Sequence, residues 1–458
     1  MLNNPVKFVL LNFFSYLIIL LFGGFSLAFP ISVFFSLLII ASSYKEFGIK
    51  GGLIFATIYL LAFDSEIFYF SDYNIRIWYF YLIIIYLISF FEFLLNFRIV
   101  FKRKFIVEYI IGFVLFLWSI YFLLIEDFVS KINNIKYWVF YIGLILILNH
   151  FFRKNIKKYN FILDYIISIT VFIMFWGIFQ FFTNLLFISN FQLDYFNIRP
   201  SAFFSETTWY SEFIFFGMVL IFLKILTVPN MLKLLYLVPF YLLGFLFSVT
   251  RNTYLAFIIY LFFTFTFTFF IERKIFLRIV SSRFILTFIF LLVLIFIMLI
   301  PILTDIASFF VLKFSGQDDS AQGRIEAYHI SVNNILKGGV FGNGYYWDKS
   351  HSTESGSALG SKSFNVFLMM GSIFGPFGGL LFFILISFYL MKSLYYYGLY
   401  KSLYIKYSFI VFFIFIQMAM FAPIHQFPFG MLIVSLSVFL FNIGVFNYEK
   451  NNICNASV

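Results

Sequence analysis

Polar positions along this chain fall in short clusters, and long apolar runs separate them. Residues 165–193, 252–271, 284–304, 363–391 and 407–448 carry no Asp, Glu, Lys or Arg. A helix that crosses the hydrocarbon needs about 20 apolar residues, whereas barrel strands alternate apolar and polar over about ten. These runs are continuous, so helices that satisfy their own backbone are the predicted elements. The last run has room for two, broken at Pro423-Ile424-His425-Gln426-Phe427-Pro428.

Applied throughout, the pattern predicts an all-α polytopic membrane protein of about fourteen transmembrane helices in one integral membrane domain, 1–458. They fall near 6–22, 25–43, 48–63, 76–97, 105–126, 136–152, 162–188, 206–223, 234–250, 253–271, 284–304, 363–391, 407–422 and 428–446. Fourteen crossings place both termini on one side. Lys7 is followed by an apolar stretch to Tyr44 with no small-residue cleavage site. That stretch reads as a retained first hairpin rather than a signal peptide.

Composition excludes a water-soluble chain. Of the 458 residues, 63% are apolar and 11% charged, against about 25% charged in soluble domains. The single cysteine, Cys454, allows no intramolecular disulfide. The formal charge of +11 sorts by side: with the N-terminus inside, 21 of the 31 Lys and Arg are cytoplasmic. The basic surplus is then an orientation signal and implies no nucleic acid. Asp64, Glu66, Asp72, Glu126, Asp127, Asp194, Glu206, Asp305, Asp318, Asp319, Glu326, Asp348 and Glu354 fall outside, as does the one long connection, 305–362. Long structured loops are usually functional, which directs the search for chemistry to the outer face.

Three outer segments carry candidates. In Asn197-Ile-Arg-Pro-Ser-Ala-Phe-Phe-Ser-Glu-Thr-Thr208, Ser205 suits an N-cap and Glu206 the first helical turn. The helix dipole would make Glu206 a weaker base, and Arg199 reads either as an anion ligand or as a snorkelling interface residue. Glu212 lies one to two turns deeper, where a carboxylate is expected to face a cavity or a cationic partner. The second segment is Phe247-Ser-Val-Thr-Arg-Asn-Thr-Tyr254, with Arg251 pinned between two apolar helices in a polar island. An arginine there favours anion binding over snorkelling.

The third is the long loop, where Asp319-Ser-Ala-Gln322 matches a capping box. Ile325, Tyr328, Val332, Ile335 and Leu336 then fall in one stripe at helical spacing, with Arg324 at its margin. An amphipathic helix lying on the outer bilayer surface, or over a cavity as a lid, is the expectation. Gly338-Gly-Val-Phe-Gly-Asn-Gly344 reads as a tight turn, not a nucleotide loop. His351 is either an inert loop histidine or a base. Four scattered histidines and one cysteine give no metal-ligand spacing. Arginines at three outer positions suit a diphosphate, whose oxygens guanidinium binds bidentately. A lipid-linked anion handled at the outer leaflet is the reading these residues support.

In order and sidedness the segments resemble the O-antigen polymerase and O-antigen ligase superfamily of bacterial envelope glycosyltransferases. The resemblance runs through Arg199-Pro-Ser-Ala-Phe-Phe-Ser-Glu206 opening a helix and Ser248-Val-Thr-Arg251 two helices later. It continues with Gly323-Arg324 in the periplasmic loop, the Gly342-Asn-Gly344 turn, and the loop exit Phe364-Asn365-Val-Phe-Leu368-Met-Met-Gly371. It covers roughly 195–380. Phe364 stands where ligases carry a histidine, which favours a polymerase, although His351 could enter from upstream.

The resemblance implies a glycosyltransferase-C-like fold in the bacterial inner membrane, with both termini cytoplasmic and a large periplasmic loop at 305–362. It also implies polysaccharide polymerisation for lipopolysaccharide biosynthesis, from an undecaprenyl diphosphate carrier onto a new lipid-linked repeat unit. Arg199, Arg251 and Arg324 would bind the diphosphate, and Glu206 or His351 would be the base. No metal or other cofactor is expected. Undecaprenyl-diphosphate-linked oligosaccharides, membrane lipid, a chain-length regulator and a flippase are the implied partners. An O-antigen ligase and a non-enzymatic flippase for lipid-linked oligosaccharides are the alternatives.

Overall fold

The structure, a computed structural model, describes residues 28–61, 77–96, 106–125, 159–187, 207–267 except 249, 319–342 except 338, 365–421 and 428–456, with a few isolated positions. All the regular structure among them is helical. In chain order the helices are α1 (Ala28–Leu61), α2 (Ile77–Asn96), α3 (Ile106–Ile125), α4 (Tyr159–Phe187) and α5 (Thr207–Thr227). A 3-10 helix (Pro229–Leu237) leads into α6 (Val238–Ser248) and α7 (Arg251–Thr266). Then come α8 (Asp319–Lys337), α9 (Val366–Tyr400), α10 (Leu403–Phe421) and α11 (Pro428–Ala456).

Six helices among the described residues are long and apolar enough to cross a bilayer: Pro30–Leu60, Phe161–Thr183, Thr207–Thr227, Met231–Ser248, Val366–Tyr400 and Leu403–Met420. With the composition, they establish a helical multi-pass membrane protein. The predicted helices near 6–22, 136–152 and 284–304 lie outside the described residues, isolated positions apart.

Two compact units divide the chain: 1–96 with 147–307, and 97–146 with 308–458. In the first, α1 is a hairpin rather than a rod. Gly48 has φ 69° and ψ −179°, a conformation reserved for glycine, and breaks the helix there. A Cβ on Gly52 would lie 3.0 Å from the Ile40 backbone, whereas twelve residues of straight helix span about 18 Å. The chain therefore reverses at Gly48, as the separate predictions for 25–43 and 48–63 require. The Tyr165 hydroxyl of α4 donates to the Phe55 carbonyl of the second arm, joining the hairpin to the rest of the unit.

Helix α5 is the buried centre of this unit, antiparallel to α4 and packed on α6 and α7. Small residues allow the close approach. Gly177 and Gly244 both lie against the Tyr210 ring, and Gly217 lies against Thr170. The Tyr210 hydroxyl donates to the Met174 carbonyl at 3.3 Å, and Thr170 and Tyr241 share a 2.7 Å hydrogen bond. Phe181 and Phe247 stack at 3.7 Å between ring centroids.

In the second unit α9 is also a hairpin, where the sequence predicts one helix over 363–391. Gly375 has φ 73° and ψ 176°, followed by Pro376. Gly371 and Gly379 are within contact distance although eight residues apart, and Phe367 packs its ring on Phe382 and Phe383. The first arm, 366–374, is a half-helix of about 13 Å, too short to cross; the second, 376–400, is the spanning arm. Asn365 caps the half-helix by accepting from the backbone N–H groups of Phe367 and Leu368. Beside α3, Met369, Ile373 and Phe374 form a core with Ile111 and Leu115. Helices α10 and α11 pack on the spanning arm, where the hydroxyls of Tyr389, Ser408 and Ser437 meet in one buried cluster.

Candidate functional site

Helix α5 begins at Thr207, and five residues in, about 8 Å along the axis, stands the fully buried Glu212. The chain reaches the same end of the unit again where α6 stops at Ser248 and α7 starts at Arg251. Thr250 is extended at φ −108°, ψ 109°, so the connection is two residues long and Asn252 and Thr253 land in the first turn of α7. Parallel packing of α7 on α5 brings the polar residues of both helices into register. The Asn252 amide donates to Glu212 Oε1 at 2.8 Å, and the hydroxyls of Ser211 and Thr253 lie 2.8 Å apart. Ser248 and Tyr254 return their hydroxyls to the Phe245 carbonyl, satisfying the frayed end of α6.

A two-rung polar ladder thus joins α5 to α7. Arg251 is half-buried at its rim, on the first residue of α7. Its guanidinium and the backbone N–H groups of that first turn both favour negative charge. Glu212 Oε1, bonded to Asn252, fixes the α5–α7 contact. Chemically the arrangement offers one guanidinium and a first helical turn, groups that favour an anion, beside a hydrogen-bonded α5–α7 contact.

The remaining predicted residues divide as follows. Arg199, Glu206 and His351 lie outside the described residues, as does the Ser205 cap. Arg324 is on α8, within the second unit, and its side chain lies outside the described residues. Tyr328, Ser331 and Ile335 fall in one row at helical spacing, and that row faces the protein: the Tyr328 hydroxyl donates to the Met420 carbonyl, the Ser331 carbonyl accepts from Ser372, and Ile335 packs on Gly371. The single apolar stripe expected on α8 is therefore split, with Tyr328 and Ile335 inward and Ile325, Val332 and Leu336 outward. Small residues, Ala327 and Ser331, make the inward contact because they let the half-helix approach closely.

Sequence reading missed the partners at the other end of the first unit. Asp164 and Lys224 form an ion pair between α4 and α5 with the lysine buried. In the second unit Lys406 is buried in the first turn of α10 with its ammonium over the Tyr407 ring. The signal available for the first pair was two opposite charges near the matching ends of consecutive antiparallel helices.

No protein-family model, curated protein or solved structure matches this chain.

Proposed function

We propose that this chain is a surface-polysaccharide polymerase of the O-antigen polymerase type. In this reading it sits in the bacterial inner membrane with fourteen crossings, both termini cytoplasmic, a glycosyltransferase-C-like architecture and its chemistry at the periplasmic face. The observation that carries the reading is Arg251 at the start of α7, beside a buried carboxylate–amide pair, in a chain with few charges to place. The order of the Arg199–Glu206, Ser248–Arg251 and Arg324 segments along the sequence supports it.

The substrate class is a glycan on undecaprenyl diphosphate. An acceptor hydroxyl of the incoming lipid-linked unit attacks the anomeric carbon, and the bond from that carbon to the diphosphate oxygen breaks. The diphosphate leaves with the electron pair, and the hydroxyl proton passes to Glu206 or His351. Arg251 and Arg199 bind the diphosphate and stabilise the charge that develops on it, an electrostatic role. Guanidinium serves that purpose through paired N–H donors, so lysine is a poor substitute.

The test is a deletion strain complemented with the wild-type chain and with Arg251→Ala at matched protein levels. Polymerase function predicts single-repeat-unit lipopolysaccharide in the deletion, long chains with the wild type, and single units again with Arg251→Ala. Polymer left on the carrier would indicate a ligase, and lipid-linked units held in the cytoplasm a flippase. Normal chain-length ladders with Arg251→Ala would remove this residue from the site.

A further inference from the structure

Helix α8 and the turn that follows it present an apolar surface away from the protein. Ile325, Val332 and Leu336 fall on one stripe and are 55%, 42% and 76% exposed, and Val340 and Phe341 in the turn are 62% and 63% exposed. The turn is anchored at its second half. Gly342, at φ 81°, lies backbone to backbone against Ile373 and Gly375, and the Val340 carbonyl lies against Gly375. The surface is therefore held rigidly on the hairpin of α9.

Its level is fixed by aromatic contacts. The Phe341 ring meets Trp118 edge-on at 5.8 Å and lies 6.3 Å from Tyr121. Both belong to α3, a 20-residue apolar helix whose one Asp, Glu, Lys or Arg residue is Glu108 near its start. Trp118 and Tyr121 precede the end of α3 by seven and four residues, so Phe341 lies alongside the apolar segment and not beyond it. Further exposed apolar side chains adjoin it: Leu117 on α3, and Phe377, whose ring is 6.4 Å from Trp118. Hydrocarbon covers such a flank in a membrane helix, and the turn continues the same surface.

We infer that the turn at Val340–Phe341 and the Ile325–Val332–Leu336 stripe are inserted into one leaflet, with lipid acyl chains as their occupant. Helix α8 is then an in-plane element whose inward row holds the half-helix of α9 while its outward stripe rests in the bilayer. Lys337, exposed in its last turn, is placed to reach headgroup phosphates. The end of the long outer loop is thus a membrane-seated wedge rather than an aqueous lid. This inference stands apart from the proposed activity, since it uses only exposure and contacts within the second unit.

The test uses the full chain with Cys454→Ser and one new cysteine at a time, Phe341→Cys, Val340→Cys, Leu336→Cys or Asn333→Cys, each labelled with bimane. The protein is reconstituted into phosphatidylcholine vesicles, with or without bromine on the acyl chains. Bromolipid should quench the label at 340, 341 and 336 at least about two-fold more than at the flanking position 333, and aqueous iodide should do the reverse. Iodide quenching at 340 and 341 without bromolipid quenching would overturn the inference. So would cross-linking of two copies through those positions, which would make the surface a protein interface. Val340→Cys and Phe341→Cys serve as independent sites should one of them disturb folding.

Discussion

Glu212 on α5 accepts a 2.8 Å hydrogen bond from the Asn252 side chain on α7, and both residues are buried. An internal hydrogen bond contributes about 0.5–1.5 kcal/mol, and a buried amide left without an acceptor adds its desolvation cost. Glu212→Ala should therefore lower the melting midpoint in detergent by several degrees, while Glu212→Gln, which keeps a carbonyl oxygen for Asn252, should lose much less. The Glu212→Ala and Asn252→Ala effects should be strongly non-additive in the double variant. Additive losses would show that the two side chains do not act as a pair.

Lys224 and Asp164 close the opposite end of the same unit. Their side chains are 7% and 34% exposed, so the pair lies between the buried and surface regimes. Lys224→Met should cost on the order of 2 kcal/mol, because it leaves a partly desolvated carboxylate without its cation. Adding Asp164→Leu should recover most of the loss, since an apolar pair no longer holds an uncompensated charge. Thermal melts of the two single variants and the double variant decide this. A double variant less stable than Lys224→Met would refute the pairing.

The hydroxyl cluster of the second unit makes a third case. Tyr389 lies 2.9 Å from Ser408 and 3.3 Å from Ser437, tying the spanning arm of α9 to α10 and α11. Tyr389→Phe removes one hydroxyl and keeps the ring packed on Phe412. A loss of about 1 kcal/mol is expected, read as a lowered melting midpoint, and Ser437→Ala in the same background should add a further loss, because its hydroxyl also donates to the Ser408 carbonyl at 2.9 Å.

These pairs mark where sequence reading reaches its limit. Length and hydropathy locate most described helices to within a few residues, because a spanning segment must be apolar for about 20 positions. Pairing between helices is not written in that pattern: Asp164 and Lys224 are sixty residues apart, and Glu212 and Asn252 forty. The single stripe expected on α8 divides because small residues allow the closest approach: Ala327 and Ser331 make the contact, while Ile325, Val332 and Leu336 stay outward. Arg251 and its polar neighbours were legible, because polar residues between two apolar runs leave few places for an arginine to go. The reversal at Gly375 was not legible, since a glycine inside an apolar run is common in membrane helices.

That reversal yields the sharpest contrast between two residues of one type. Gly48 and Gly375 share a backbone conformation essentially closed to other residues, with φ 69° and 73° and ψ near 180°. Forcing alanine into it costs about 1–3 kcal/mol at either position. They differ in surroundings. A Cβ on Gly48 meets nothing within 4 Å, whereas one on Gly375 strikes the Val340 carbonyl and the Gly342 backbone nitrogen. Gly48→Ala should therefore give a folded protein with a modestly lowered melting midpoint. Gly375→Ala adds a backbone collision that no rotamer can relieve, so it should separate the turn from the half-helix and release α8. Limited proteolysis between 319 and 364 reads this directly, with faster cleavage for Gly375→Ala and an unchanged pattern for Gly48→Ala. Equal protection in both variants would mean that the contact at Gly375 does not hold α8 in place.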